Sequence, residues 1–418
     1  DGFIFDYGIH GLFPSQEDNK KIINKIKSLL GDELETVSKK TLLYFNKKYL
    51  NYPLTLKDMV IAMNPFMSFL CFLDFLKARL KKKFRMETDE SSFKSAMTNN
   101  FGVLLYNRFF GPYAHKVWGV RPDLLNSRWL GRRVFNKNIW LLIKEVSIKL
   151  LKLREKENGY SQQPNKFFYA KNGAQTIAEK MANEILKKNM RIVVNSEIKK
   201  IIHKDGKIQG VIFKKDGKDI KIDCDYLISS IPINDFVKSL EPAFPEEIIR
   251  SASQIQFRAI IILCLLVKKE RVLKAQWNYY PDKEFVFNRI NEFKNVLPGF
   301  APKGKTGIGI EITCFKNDKI WNLKDDELFR ISLENLKKLN LIKKDDIEKY
   351  NVVRLPSGYP IDRLDIKVSL DKVFNELKNI GNLYLIGREG LFRYINMDES
   401  IKTGFEAAQS IIDKEIKL

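Results

Sequence analysis

The segment NLYLIGREGLFRYINMDESIKTGFEAAQSII at 382–412 restricts the possible architecture more than any other part of this 418-residue chain. An apolar strand over 383–386 breaks at Gly387 and crosses a polar turn. It then enters a helix from about Glu399, in which Ile401, Phe405, Ala408, Ile411 and Ile412 share one face. A buried strand that passes through glycine into an amphipathic helix is one half of a parallel α/β unit. Glycine at the carboxyl end of such a strand lets backbone approach a ligand closely. The helix start adds N–H donors and the positive end of its dipole.

The remaining sequence divides into two kinds of material. Apolar positions Ile22, Ile23, Ile26, Leu29 and Leu30 mark a helix over 16–30, followed by strand-like runs at 36–45 and 49–54 about the Asn46-Lys47-Lys48 turn, closed by Pro53. Residues 55–153 read mainly as helix, with an aromatic-rich piece at 101–119, and a polar loop follows at 158–166. A helix over 176–188 and a β-branched strand at 191–195 come next. The pairs Asp205-Gly206 and Asp216-Gly217 are two-residue hairpin signals and predict a meander that runs into a strand at 226–231. The run AIIILCLLV at 259–267 is that of a strand covered on both faces. Strands are expected at 285–290 and 308–315, and helices at 325–339 and 369–377.

Charge and cysteine content exclude several function classes. The net charge of +22 comes largely from dispersed lysine pairs such as Lys20-Lys21 and Lys343-Lys344, which read as solvated faces rather than a nucleic-acid groove. The one dense basic run, 77–85, directly follows the apolar stretch 60–76, which is interrupted by Asn64, Pro65 and Asp74 and is shorter than the ~20 residues of a membrane span. It reads as a buried helix of the second unit, with an amphipathic helix on an anionic membrane surface as the alternative. Four scattered cysteines form no metal-ligand or disulfide pattern, which points to a reducing cytoplasm, with peripheral contact at the inner membrane surface as the variant.

A reduced flavin carries negative charge near N1 and O2, which a helix start after Gly387 would stabilise; a strand-helix junction without a ligand fits the same residues equally well. The segment 382–408 resembles the C-terminal flavin motif of FAD-dependent enzymes of the amine-oxidase superfamily, the group of protoporphyrinogen oxidase, phytoene desaturase, monoamine oxidase and UDP-galactopyranose mutase. Other segments resemble that family in the same order: DGFIFDYGIHGLF at 1–13, KVWGVRPDLLNSRWLGRRV at 116–134 with Trp118, Gly119, Trp129 and Arg132, KFFYAKNGAQTIAEKMANEI at 166–185, NSEIKKI at 195–201, YLISSIPI at 226–233, FNRINEF at 287–293, and Glu311.

The resemblance implies FAD as cofactor and a Rossmann-like FAD/NAD(P)-binding domain of the glutathione-reductase type. That domain would be built from 1–50, 166–235 and 380–418 beside an α+β substrate domain from 51–165 and 236–379. It places Gly8 and His10 against the flavin and Ile198 at the adenine. Ser229, Ser230 and Pro232 would lie under the cofactor, with Gly387, Arg388, Glu389, Asn396, Met397 and Asp398 at the closing turn and helix. The family's G-x-G-x-x-G fingerprint is absent, since Gly304, Gly307 and Gly309 lead into a strand. The expected domain therefore lacks its first βα unit, and a segment carrying it is expected before residue 1.

Flavin chemistry needs no protein nucleophile, so few catalytic side chains are expected. The substrate-side candidates are His10, Arg289, Tyr359 and Tyr394, together with Arg393, because arginine grips anionic groups bidentately and tyrosine stacks or donates a proton. The leading reading is a flavin-dependent oxidation or desaturation of a small or lipid-like substrate. The second is redox-neutral chemistry on a nucleotide sugar, and the third is a partial chain acting as an interaction module. No metal site is expected.

Overall fold

The computed structural model of the chain describes residues 2–14, 17–52, 58, 63, 65–84, 89–128 and 166–416. Pro53, the expected helix beyond residue 128, the loop at 158–165 and the motif residues Trp129 and Arg132 lie outside the described residues.

Helix α1 (Glu17–Leu30) buries Ile22, Ile23, Ile26 and Leu30, as their spacing requires. The run 36–45, expected as one strand, is two. β1 (Leu34–Ser38) pairs antiparallel with β4 (Lys166–Ala170), whereas β2 (Thr41–Phe45) turns into β3 (Lys48–Asn51). Asn46 and Lys47 both have positive φ, 47° and 61°, the geometry of a two-residue hairpin turn. Helices α2 (Pro65–Lys83), α3 (Phe93–Phe101) and α4 (Gly111–Trp118) follow, then α5 (Gln175–Lys187).

Residues 191–195 were expected to form a strand, but they form none and pair with no described strand, and Asn195 turns the chain at a φ of 54° just before β5. β-Branched residues favour extended backbone, yet a strand also needs a partner. The meander is present as β5 (Ser196–Lys204), β6 (Lys207–Lys215) and β7 (Lys218–Asp223), with Asp205, Gly206, Asp216 and Gly217 all at positive φ. Then come β8 (Leu227–Ser229), α6 (Ile233–Ser239), β9 (Leu240–Glu241), α7 (Glu246–Ser253), β10 (Phe257–Val267), β11 (Trp277–Tyr279), β12 (Arg289–Glu292) and β13 (Thr306–Cys314). The chain closes with α8 (Asp325–Lys338), β14 (Ile347–Pro360), α9 (Lys367–Lys378), β15 (Leu383–Leu385), a single helical turn Gly387–Gly390 and α10 (Met397–Glu415).

The dominant layer is a seven-stranded sheet in the order β14-β10-β13-β12-β11-β2-β3, antiparallel except at the β11–β2 contact. β10 is buried from Arg258 to Val267, which explains its unbroken apolar sequence. Its neighbour β14 has no such pattern. Pro356 and Gly358 fall where the β10–β14 register shifts, and proline is tolerated at such an edge bulge because it has no N–H to lose. The segment 1–50 contributes to two layers, since β2 and β3 extend the large sheet while β1 joins β4.

The site depends on a second, smaller element: β8 and β15 run parallel, so their carboxyl ends emerge side by side. Asn382 anchors this pair to the meander. Its buried amide donates to Ile208 O and Asp225 O and accepts from the Ile208 N–H, at 2.8, 2.6 and 2.7 Å. No helix among the described residues is long and apolar enough to cross a membrane.

Candidate active site

Strand register assembles the centre of the site. Arg289 stands opposite Glu311 across β12–β13 and opposite Tyr279 across β11–β12, so the three share one face. Arg289 Nη2 donates to Glu311 Oε2 at 2.5 Å, and Asn291, two residues further along the same face, donates to Glu311 Oε1. The guanidinium lies 5.8 Å from the centroid of Tyr279. The side chains of Arg289 and Glu311 are 14% and 2% exposed. Burial works to discharge Arg289, but the Glu311 carboxylate outweighs it and holds the guanidinium well above the ordinary arginine value. Arg289 Nε is buried without a hydrogen-bond partner, a costly state for a charged donor that a ligand acceptor would relieve.

Residues 2–14 cross this face. Asp6 fixes them by accepting from the Tyr169 hydroxyl at 2.5 Å and from the Ala174 N–H at 3.0 Å. A Cβ at Gly8, where φ is +107°, would lie 3.3 Å from Glu311 Oε1, 3.5 Å from His10 Nε2 and 3.8 Å from Arg289 Nη2. Backbone conformation and close approach therefore both call for glycine. His10 Nε2 lies 3.2 Å from Tyr7 O, which assigns the proton to that nitrogen. Burial, with Arg388 and Arg289 nearby, keeps the imidazole below its ordinary value despite the hydrogen bond to Tyr7 and the Glu311 charge. His10 is thus a neutral, polar wall at pH 7.

An aromatic corner closes the site. Tyr359 near the end of β14, Tyr394 beyond the Gly387 turn, and Trp118 at the end of α4 lie with ring centroids 5.4 to 6.0 Å apart. Arg388 supports them, with its guanidinium 5.5 and 5.1 Å from the centroids of Tyr359 and Tyr394. Its Nε and Nη2 donate to Ile395 O at 2.9 and 2.6 Å, and Nη1 donates to Gly358 O at 3.3 Å. Burial pushes the Tyr359 phenol up to about 12 against the pull of Arg289, so it stays protonated as a donor.

The structure therefore brings Gly8, His10, Arg289, Tyr359, Arg388 and Tyr394 into one place. A second group gathers at the ends of the parallel strands: Ser229 at the end of β8 with Ser230 and Pro232 beyond it, and Gly387 and Glu389 beyond β15. Ile386 N donates to Ser229 O, and Gly387 N, at φ +71°, donates to Thr403 Oγ1, both at 2.9 Å. Burial pushes the Glu389 carboxyl up to about 7, with Arg388 opposing it.

Three residues expected to meet a cofactor also serve the protein itself. Asn396 N donates to Glu399 Oε2 at 3.1 Å at the start of α10. Asp398 is buried and accepts from Asn19 Nδ2 at 2.6 Å, and Met397 packs with Leu12, Ile22 and Ile26. Ile198 sits on β5, 38% exposed, with no described contact to either group. Arg393 lines a separate cavity of about 680 Å³ beside β15, shared with Leu385, Thr403 and Lys414. Asn291 and Tyr279 escaped sequence reasoning. Asn291 is traceable in hindsight from its two-residue offset from Arg289, whereas Tyr279 depends on a strand pairing that no local pattern encodes.

No family model matches the chain. Among solved structures, reduced UDP-galactopyranose mutase matches 99% of this chain and 86% of its own, with a TM-score of 0.81 at 18% identity. A protoporphyrinogen oxidase-like protein from an Exiguobacterium species matches 100% of this chain and 89% of its own, with a TM-score of 0.69 at 14% identity. Cyclohexylamine oxidase from Brevibacterium oxydans matches 98% and 88%, with a TM-score of 0.62 at 11% identity. This chain has the mixed α/β fold that those three structures share.

Proposed function

We propose that the chain is a flavin-dependent enzyme that binds FAD and takes an anionic, sugar-bearing substrate. The observation that carries this reading is the buried Arg289–Glu311 pair with its unshared Nε, set beside the aromatic corner over Arg388. With Glu311 offsetting Arg289, the Arg388 guanidinium leaves this corner one net positive charge, which favours a phosphate or carboxylate over a cationic amine. The rings of Tyr359, Tyr394 and Trp118 offer apolar faces to a sugar or base.

The residues suit the ring end of a flavin. Gly8 and Gly387, both at positive φ, present bare backbone on two sides, and nothing nearer than Ser230 Cβ at 3.7 Å would meet a Cβ at Gly387. Gly387, Arg388, Glu389, Ser229, Ser230 and Pro232 would hold the ring, with the N–H groups of Met397 and Asp398, behind the Asn396 cap, at the positive end of the α10 dipole. Ile198 would meet the adenine through its backbone. Once bound, the flavin would supply the bond-making electron pair in its reduced form or accept a hydride in its oxidised form. Arg289 orients the anionic group, Tyr359 holds a proton at its Oη, and neutral His10 keeps the wall polar without adding charge.

Redox-neutral rearrangement of a nucleotide sugar, in the manner of UDP-galactopyranose mutase, fits two arginines and an aromatic corner best. Oxidation or desaturation is supported by the protoporphyrinogen oxidase-like and amine oxidase neighbours. Flavin-reconstituted protein given UDP-sugars under dithionite separates the two. Isomerisation without an external acceptor supports the first and acceptor-dependent turnover the second. Protein that takes up no FAD and turns over neither class of substrate refutes both.

A further inference from the structure

Helix α2 (Pro65–Lys83) was read from sequence as a buried element, and only one of its faces is. Cys71 is buried, and Asp74 Oδ2 accepts the Leu104 N–H at 2.7 Å, which turns the single acidic residue of the helix toward the protein. On the opposite face Phe66, Phe69, Leu73, Leu80 and Phe84 follow one another at steps of three, four, seven and four residues, each between 45% and 73% exposed, with Lys77 at the turn between Leu73 and Leu80. Phe84 continues the helix, its N–H donating to Leu80 O at 3.0 Å. Lys77, within the stripe, and Lys81, at its edge, are both exposed, and neither joins a salt bridge among the described residues. Lys82 differs, being paired with Glu90 at 2.7 Å.

An exposed stripe of this size is unusual on a protein surface and marks an interaction site. The charges select the occupant. A second copy stacked on this face would bring its own Lys77 and Lys81 against these lysines, with no carboxylate on the stripe to offset them. An anionic bilayer supplies negative charge to the lysines and hydrocarbon to the rings together. The helix is too short and too charged at its end to span, so it lies in the plane of the surface.

We propose that α2 is an interfacial membrane anchor that lays this stripe into one leaflet of an anionic bilayer, with Lys81 at headgroup level and Lys77 extending its apolar stem to carry its ammonium up to the same level. This is independent of the flavin chemistry.

The test is co-sedimentation of the full chain with vesicles of phosphatidylcholine alone and of phosphatidylcholine mixed with phosphatidylglycerol. Binding should be confined to the mixed vesicles and weaken with salt. Each of Lys77→Gln and Lys81→Gln should reduce partitioning about fivefold, following the usual contribution of one lysine near an anionic surface. Phe69→Ser with Leu73→Ser should abolish partitioning while the circular dichroism spectrum stays unchanged. Absence of binding to either vesicle overturns the proposal, as does equal binding to both. A concentration-dependent dimer that Phe69→Ser dissolves, seen by sedimentation velocity, also overturns it by making a second copy the occupant.

Discussion

Replacing Glu311 with leucine strands a guanidinium charge inside the seven-stranded sheet. Both partners of the pair are buried, so the relevant cost is that of breaking a buried ion pair from one side, about 3 to 5 kcal/mol. The Asn291 amide loses its acceptor as well, which adds on the order of 1 kcal/mol. The sum approaches the ~5 to 15 kcal/mol total stability of a typical domain, so Glu311→Leu should be only marginally folded. The double variant Arg289→Met with Glu311→Leu removes both charges and fills their space with apolar atoms, a change that is roughly neutral in comparable pairs. With each single break costing about 3 to 5 kcal/mol and the double variant about none, urea unfolding followed by tryptophan fluorescence across the four proteins should therefore give a coupling energy on the order of 6 kcal/mol or more. The double variant should be nearly as stable as the parent but unable to turn over substrate, because the anion-binding guanidinium is gone. A cost below about 1 kcal/mol for Glu311→Leu, or a double variant as unstable as the two singles summed, would refute the burial and mutual compensation described for this pair.

Three further outcomes follow from the same geometry. The Glu389 carboxyl is raised from an ordinary 4.5 to about 7 in the folded chain, so its contribution to stability is fully present below about pH 4.5 and is lost as pH rises through 7. Glu389→Gln should flatten that part of the stability-pH profile, and a profile identical to the parent would count against the raised value. Arg388→Lys keeps the charge but loses the forked grip on Ile395 O and Gly358 O, and should cost about 2 kcal/mol by urea midpoint while weakening flavin retention during gel filtration. Asn382→Ala leaves the Ile208 N–H and C=O and the Asp225 C=O without their amide partner. It should cost about 2 to 4 kcal/mol and speed amide exchange in β6 and β8 relative to β10.

Much of the architecture was readable where local chemistry decides local structure. The Asp-Gly pairs give their hairpins because both residues tolerate positive φ, and β10 announces itself because both its faces are covered. Gly387 marks the strand-helix junction for the same local reason. Reading failed where the deciding partner is distant. β14 hides behind Pro356 and Gly358, which only make sense beside the register shift in β10. The break between β1 and β2 falls at Lys39-Lys40, with neither glycine nor proline to signal it. Residues 191–195 have strand composition but no described strand alongside. Within the site, His10, Arg289, Tyr359 and Tyr394 were separate candidates that the folded chain brings to one place. Tyr279 enters only through pairing between strands. The exposed face of α2 was hidden for a similar reason, because a helix with apolar residues on every side of its first turns does not declare which side its neighbours leave open.

Arg388 belongs to both halves of the site at once. Its backbone forms the turn at the end of β15, and its guanidinium underpins Tyr359 and Tyr394 while gripping Ile395 and Gly358. A molecule that steadies the turn also steadies the rings, so occupancy on one side lowers the ordering entropy left for the other. Thermodynamic reciprocity then requires that whatever factor the first ligand adds to the affinity of the second, the second adds to that of the first.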